Sequence, residues 1–210
     1  GKLHSLLDQA NQADIDILVG TQILAKGHDF KRITLVGVVD IDSMLYSPDF
    51  RAAERLFAQL VQVGGRAGRA DKAGEVLIQT RVPHHAIFES LRNQDYGRFA
   101  ELELANRQAA GFPPFCYQVL LRSEALGLEK AFAFLERAYS IATALKFPIT
   151  LFDPVAATLP RIAGKYRAQL LVQAKSRKTL QAFLARWVEE LRLLKDQQVR
   201  WSLDVDPLDI

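Results

Sequence analysis

Residues 33–80 read ITLVGVVDIDSMLYSPDFRAAERLFAQLVQVGGRAGRADKAGEVLIQT, and this stretch decides the fold of the first half of the chain. It opens with a continuous β-branched run at 33–39, which is typical of a buried strand. Apolar residues then recur at helical spacing over 51–63, and 75–80 again has the composition of a strand. With a further apolar run at 15–20, the pattern predicts strands alternating with helices in a parallel α/β sheet. Only three strands are visible, so we expect the sheet to be part of a larger α/β domain.

The middle of the chain is predicted to be helical. Residues 86–108 contain few helix breakers apart from Gly97, and the segment GFPP at 111–114 ends the pattern. We therefore expect a helical connector over 86–115, which would separate a first part at 1–85 from the rest of the chain.

Residues 116–210 have a strand and helix pattern of their own. The predicted strands are 117–123, 149–153, 168–174 and 199–205, and the predicted helices are 127–146 and 177–195. The resulting order, β-α-β-β-α-β, is the split βαβ arrangement of ferredoxin-like or S10-like α+β domains. Trp187 and Trp201 occupy apolar positions of this pattern, so we expect both in its core.

Composition excludes several classes of protein. The chain has 210 residues, of which 49% are hydrophobic and 24% charged, as in ordinary globular proteins. No apolar run approaches the ~20 residues of a membrane span, and the N-terminal residues lack the apolar segment of a signal peptide. The single cysteine, Cys116, excludes an internal disulfide and a thiolate zinc cluster, and we expect it to be a small buried hydrophobe. We expect a location in the cytoplasm.

The most specific motif is Q-x-x-G-R-x-G-R at 62–69. It follows a predicted helix and places Arg66 and Arg69 three residues apart on a glycine-rich backbone. Two such guanidinium groups can bind one polyanion together, because each pairs with phosphate oxygens in a bidentate manner and stays charged. In phosphoryl transfer, arginines of this kind neutralise charge that builds on the γ-phosphate. The alternative is a glycine-rich turn whose arginines are only solvated.

A second motif lies at 18–30, LVGTQILAKGHDF. Here a predicted strand runs into Thr21, whose hydroxyl and backbone N–H can bind a nucleic-acid phosphate. Asp29, two residues after Gly27, can accept hydrogen bonds from a ribose hydroxyl. Each feature alone is also common in ordinary turns.

Together these strings resemble motifs V and VI of superfamily 2 helicases, and more narrowly those of the replication-restart helicases. The string FPPF at 112–115, GKYRAQLLVQ at 164–173 and WSLDVDP at 201–207 are similar to the C-terminal domain of the same family. The resemblance implies a partial RecA-like helicase lobe 2, with its parallel sheet, followed by a small α+β domain.

The resemblance also implies roles for individual residues. Gln62, Arg66 and Arg69 would be catalytic and face the triphosphate across the cleft between two helicase lobes. Nucleotide binding would involve Gly27, Asp29 and Gly65, and DNA binding would involve Thr21 and Gln22. Asp40 and Asp42 precede a loop that would couple nucleotide to DNA, although solvated acids at a strand end are an equal alternative.

Two absences are informative. The sequence contains neither a G-x-x-x-x-G-K-[ST] phosphate loop nor a D-E-x-H motif for magnesium. We therefore expect ATP and Mg²⁺ to be bound mainly by a first lobe that this chain lacks, and the chain alone to be inactive as an ATPase. By resemblance, zinc belongs to the full-length protein and not to this part, which would be its C-terminal fragment.

The charge is uneven along the chain. The formal net charge is +3, and residues 161–178 contain six Lys and Arg with no acid. We expect Lys165 and Arg167 to bind DNA, and Arg177 with Gln181, four apart on one helix face, to bind a protein partner. The resemblance implies the acidic C-terminal tail of single-strand DNA-binding protein as that partner. A solvated basic face is the alternative.

The function implied by this resemblance is part of an ATP-dependent 3′-to-5′ DNA helicase that recognises stalled replication forks. Its partners would be forked DNA and other primosome proteins, with no membrane, and it would be associated with the bacterial nucleoid. Two alternatives remain open: a non-catalytic module that binds nucleic acid or protein, and a part of another superfamily 2 DNA translocase.

Overall fold

The structure is a computed structural model, and it describes residues 16–20, 34–47, 49–65, 74–194 and 196–208. The chain divides into two compact units, residues 1–105 and 106–210, which are described separately below. The division into 1–85, 86–115 and 116–210 that was expected from the sequence stays a prediction. Within the described residues, no helix is both long enough and apolar enough to cross a lipid bilayer.

The first unit contains a parallel pair of strands and a set of helices. In chain order its elements are β1 (Leu35–Val38), α1 (Ile41–Leu45), α2 (Ala52–Gly64), β2 (Glu75–Ile78), α3 (Ala86–Arg92) and α4 (Tyr96–Ala110), whose last residues belong to the second unit. β1 pairs with β2 in parallel, with Leu35 opposite Glu75 and Val38 opposite Ile78. The predicted strand–helix–strand order of residues 33–80 is confirmed.

The core of the first unit forms where the helices cover one face of the strand pair. Its buried side chains come from α1, α2, α3 and α4, and they are Ile41, Leu56, Phe57, Leu60, Ile87, Phe88 and Phe99. The rings of Phe57 and Phe99 stack with centroids 4.2 Å apart. Val38 and Ile78, the last residues of the two strands, pack against this cluster. The apolar stripe of α2 therefore holds both strand ends.

Two sequence expectations for this unit were wrong in detail, and one short helix was not predicted. Residues 16–20 are not in a strand, and Ile17 and Val19 are exposed. The helix predicted over 86–108 is divided into α3 and α4 at residues 93–95, and Gly97 lies within α4. The break occurs because Gln94 adopts a left-handed backbone with φ of 51°, after which Asp95 Oδ1 accepts a hydrogen bond from Arg98 N–H. The short helix α1 was not expected.

The second unit is an antiparallel sheet with two helices. Its elements are β3 (Tyr117–Ala125), α5 (Leu128–Ala144), β4 (Thr150–Leu151), β5 (Val155–Ile162), β6 (Lys165–Ala174), α6 (Arg177–Leu193) and β7 (Val199–Val205). β6 and β3 are central, β7 pairs with β3, and β4 and β5 pair with β6. All pairings are antiparallel. This strand order is that of the split βαβ fold, so the fold class expected for both parts of the chain is confirmed.

Both helices of the second unit cover the same face of the sheet. Trp187 is fully buried, and its Nε1–H donates a hydrogen bond of 3.0 Å to the carbonyl oxygen of Ala138, which joins α6 to α5. Trp201 is partly buried and stacks on Phe134 at a centroid distance of 6.2 Å. Cys116 is buried as expected, and burial together with the nearby Asp206 carboxylate raises the pKa of its thiol. The core positions predicted for Trp187, Trp201 and Cys116 are confirmed.

Candidate functional site

The C-terminal end of α2 presents two of the predicted site residues. Gln62 is exposed in the last turn of the helix, opposite the stripe that buries Leu56 and Leu60. Gly65 ends the helix, and its N–H donates a hydrogen bond of 3.0 Å to the carbonyl oxygen of Val61. The helix thus brings Gln62 and Gly65 together at one surface point, directly before the two motif arginines.

Six predicted site residues lie outside the residues that the structure describes. They are Thr21, Gln22, Gly27, Asp29, Arg66 and Arg69. Their roles in nucleotide or DNA binding therefore stay predictions.

The N-terminal end of α2 is held by a carboxylate that the sequence analysis missed. Asp49 Oδ1 accepts a hydrogen bond of 2.9 Å from Arg51 N–H, and Asp49 Oδ2 lies 2.8 Å from Arg55 Nη1. An acid just before a helix is favoured there, because it binds free N–H groups and the positive end of the helix dipole. The position of Asp49 just before the predicted helix is the sequence signal that could have identified it. Asp49 therefore connects the turn before α2 with Arg51 and Arg55 at the N-terminal end of the helix.

Asp42 connects the two segments that follow the parallel strands. Its Oδ1 accepts a hydrogen bond of 2.6 Å from Thr80 Oγ1–H, and its Oδ2 accepts one of 2.9 Å from Arg81 N–H. These hydrogen bonds, first that of Thr80 and then that of Arg81, lower the pKa of the Asp42 carboxyl below its ordinary value. Asp42 joins the start of α1 to the end of β2. It is not a merely solvated acid.

Asp40 differs from Asp42 although it lies two residues away. It takes a left-handed backbone with φ of 54°, and its carbonyl oxygen accepts a hydrogen bond of 2.9 Å from Ser43 Oγ–H. Its contribution to the turn is therefore made through the main chain. The carboxyl ends of parallel strands are where α/β sheets bind ligands, so the Asp42 bridge shapes an edge of functional interest.

In the second unit, Lys165 and Arg167 begin β6 and project from the same side of the strand, because they are two residues apart. This side faces away from the two helices. Lys165 is exposed. Arg167 lies opposite Glu124 on β3, its Nε is 3.4 Å from Glu124 Oε1, and its side chain is only 26% exposed. Of the two predicted DNA-binding residues, Lys165 is therefore more accessible to a phosphate than Arg167.

Arg177 and Gln181 lie at the N-terminal end of α6 and are both exposed. Ser176 begins this helix, and its Oγ accepts a hydrogen bond of 3.1 Å from Thr179 N–H. The Arg177 guanidinium lies 5.2 Å from the ring centroid of Tyr117 and 3.3 Å from Asp206 Oδ2. Because tyrosine and carboxylate order the guanidinium, this corner is a preformed polar surface.

The basic stretch 161–178 does not form one surface. Lys165 begins β6 and Arg177 follows its other end, and a ten-residue strand separates the two by roughly 30 Å at ~3.4 Å per residue. These cations are close together in the sequence, but the extended strand β6 separates them, so that one group lies at its beginning and the other follows its end. The structure keeps Lys165 with Arg167, and Arg177 with Gln181.

The comparisons with known proteins cover both halves of the chain. Residues 108–208 match the family described as Primosomal protein N C-terminal domain. Residues 3–71 match the family described as Helicase conserved C-terminal domain, and this range includes the motif at 62–69.

Curated relatives match along the whole chain. Replication restart protein PriA of Haemophilus influenzae is 43% identical over 211 residues, which are 100% of this chain and 29% of that protein. The proteins of the same name from Synechocystis and Bacillus subtilis are 39% and 36% identical, over 100% and 99% of this chain and 25% and 26% of theirs. This chain thus spans between a quarter and a third of the length of these relatives. The chain belongs to the PriA family of replication restart proteins.

Proposed function

We propose that the chain is part of an ATP-dependent DNA helicase that restarts replication at stalled forks. The observation that carries the proposal is the similarity to replication restart proteins over both units at once. The motif at 62–69 supports a motor, because its arginines continue directly from a helix end that exposes Gln62. A binding module alone would need no such pair of arginines at a helix end.

In this proposal the chain supplies one wall of the ATP site. Arg66 and Arg69 neutralise charge that develops on the γ-phosphate, and Gln62 binds beside them. Gly65 at the helix end also contributes to nucleotide binding, while Gly27 and Asp29 meet the ribose. The sequence has no phosphate loop, so a first lobe outside this chain binds the α- and β-phosphates and Mg²⁺.

The remaining contacts tie the motor to DNA and to proteins. Thr21 and Gln22 bind the DNA backbone, and Lys165 with Arg167 adds contacts from the second unit. Arg177 and Gln181 receive the acidic tail of single-strand DNA-binding protein, and other primosome proteins bind the assembled complex. Zinc is bound by other parts of the full-length protein. The protein acts in the cytoplasm, in association with the nucleoid.

A strand-displacement assay tests this proposal. A longer protein that contains this chain should release the labelled strand from a duplex with a 3′ single-stranded tail, which is the polarity of a 3′-to-5′ motor. It should do so with ATP and fail with a non-hydrolysable ATP analogue. Release without hydrolysis, or equal release from 5′-tailed duplexes, would contradict the proposal.

The isolated 210-residue chain provides a second test. It should hydrolyse ATP no faster than a buffer blank, with or without DNA, because positioning catalysis needs both walls of the site. Phosphate release by the chain alone would show that the ATP site is complete within it and would overturn the division into two lobes.

A further inference from the structure

The end of the hairpin formed by β5 and β6 is exposed to solvent. Residues 158–165 are all exposed, among them Leu159 at 63% and Ile162 at 44%. The two strands join through Ala163 and Gly164, both with positive φ, of 49° and 78°. Positive φ at both central residues defines a type I′ turn, whose twist matches that of a two-stranded ribbon. The hairpin end is therefore a narrow ribbon of two paired rows, Arg161 with Tyr166 and Ile162 with Lys165, open to solvent, and the strand register shifts between Ala156 and Arg161.

Two cations at the end of this ribbon, Arg161 and Lys165, have no acidic partner among the described residues. No Asp or Glu occurs between residues 154 and 188. Three other arginines of the unit are paired with carboxylates: Arg122 with Asp204, Arg167 with Glu124 and Arg177 with Asp206. Among the described residues, no carboxylate lies within ion-pair distance of Arg161 or Lys165. These two charges remain available to an outside polyanion.

The two free cations lie on opposite faces of the ribbon. Arg161 pairs with Tyr166 and Ile162 pairs with Lys165, so neighbouring rows of the hairpin point in opposite directions. On one face the Arg161 guanidinium lies 5.2 Å from the centroid of the Tyr166 ring, a contact that orders it. On the other face Lys165 lies beside the exposed Ile162. A single ribbon thus carries one cation toward each side.

This arrangement fits a groove with phosphates along both walls. A β-ribbon with its side chains is ~10 Å thick from face to face. The major groove of B-form DNA is about 12 Å wide and admits a two-stranded ribbon, whereas the minor groove is about 6 Å wide. The deep, narrow major groove of A-form RNA excludes such an element. An acidic peptide would meet the cations of one face only.

We propose that the β5–β6 hairpin enters the major groove of duplex DNA, with Arg161 and Lys165 each binding a phosphate on one wall. The proposal rests on the proposed function, since it names the duplex arm of the DNA substrate as the contact of the second unit. It moves the main DNA contact from Arg167, which is paired with Glu124, to Arg161 at the hairpin end.

Fluorescence anisotropy with a labelled 20-base-pair DNA duplex tests this contact on the 210-residue chain. The double variant Arg161→Gln/Lys165→Gln should bind at least 10-fold more weakly near 0.15 M salt. Its slope of log K against log salt should be shallower by about 1.8, since each lost phosphate contact contributes about 0.9. The control Arg186→Gln removes an exposed helix cation and should leave affinity and slope unchanged. The charge-conserving Arg161→Lys/Lys165→Arg should restore binding.

Several results would overturn the proposal. The first is an affinity and a salt slope of the double variant that equal those of the wild type. The second is that the wild-type chain binds no DNA duplex, or binds duplex RNA equally tightly. The third is that the double variant still binds DNA and loses binding to an acidic peptide. A thermal melt of each variant separates misfolding from loss of contact. If the double variant is unfolded and the variant Arg161→Lys/Lys165→Arg also fails to bind DNA, that result counts against the proposal. The motor proposal is judged separately by strand displacement, so either can fail without the other.

Discussion

Asp42 shows how much of a site depends on a single carboxylate. Both of its oxygens are used, one by the Thr80 hydroxyl and one by the Arg81 N–H, and these donors follow β2 while Asp42 itself follows β1. From the sequence, Asp42 could be a coupling residue or a solvated acid, since nothing in its local pattern identifies Thr80 as a partner 38 residues away. Tertiary pairing of β1 with β2 creates the contact.

Substituting Asp42 by Asn should destabilise the first unit at neutral pH. An amide offers one acceptor oxygen, so it leaves one of the two donors without its bond. Because folding lowers the pKa of Asp42 below 3.8, the carboxylate adds stability above that value and loses it as the pH falls through the folded pKa. The stabilities of the wild type and Asp42→Asn in urea unfolding should therefore differ at pH 7, and the difference should shrink at an acidic pH below 3.8.

The neighbouring acid provides the control. Asp40→Asn keeps the left-handed turn, because Asn tolerates positive φ, and should unfold like the wild type at both pH values. Equal stability of all three proteins at pH 7 would show that the Asp42 bridge contributes nothing to folding.

At the scale of elements, the sequence predicts best where burial is periodic. The helices predicted at 51–63, 127–146 and 177–195 and the strands predicted at 117–123 and 199–205 are all present in the structure close to their predicted bounds. β5 was missed because its end is exposed and contains Pro160, so no apolar alternation marks it. Its pairing with β6 depends on the turn at Ala163 and Gly164, which the apolar pattern does not show.

The backbone conformation of this turn predicts how substitutions at Ala163 and Gly164 change the stability of the second unit. Ala163 has φ of 49°, a conformation that costs an L-residue with a Cβ about 1 to 2 kcal/mol, and Asn adopts it more readily. Ala163→Asn should stabilise the second unit by about 0.5 to 1 kcal/mol in chemical unfolding. Gly164→Ala should cost about 1 kcal/mol, because it places a Cβ at φ of 78°. The opposite order of stabilities would contradict a type I′ turn.

At the scale of the molecule, each unit has a core of its own. The larger cluster lies between the antiparallel sheet and the helices α5 and α6, and all of its residues come from the second unit. The first unit closes a smaller cluster around Phe57 and Phe99. The sequence indicated two architectures through the change from parallel to antiparallel patterning, while the unit boundary within α4 left no mark in the sequence because the apolar residues of that helix do not gather on one face.

A chain of residues 106–210 should therefore fold independently. Its sheet, both helices and its buried residues are complete within that range, so unfolding in urea should follow one cooperative transition with a native near-ultraviolet signal from Trp187. A broad transition without that signal would show that the second unit needs the first for its core.

The proposed motor depends on the two arginines that follow α2 in the sequence. The most direct measurement compares wild type with Arg69→Ala in a longer protein that contains this chain, recording kcat for DNA-stimulated ATP hydrolysis and Kd for the same DNA. Arg92→Ala, an exposed arginine on α3, is the matched control. If Arg69 is an arginine finger, Arg69→Ala should lower kcat by about 10³-fold or more, while its Kd for DNA stays within about twofold of the wild-type value. Unchanged turnover, or an equal loss of DNA affinity, would contradict a role for this arginine at the triphosphate.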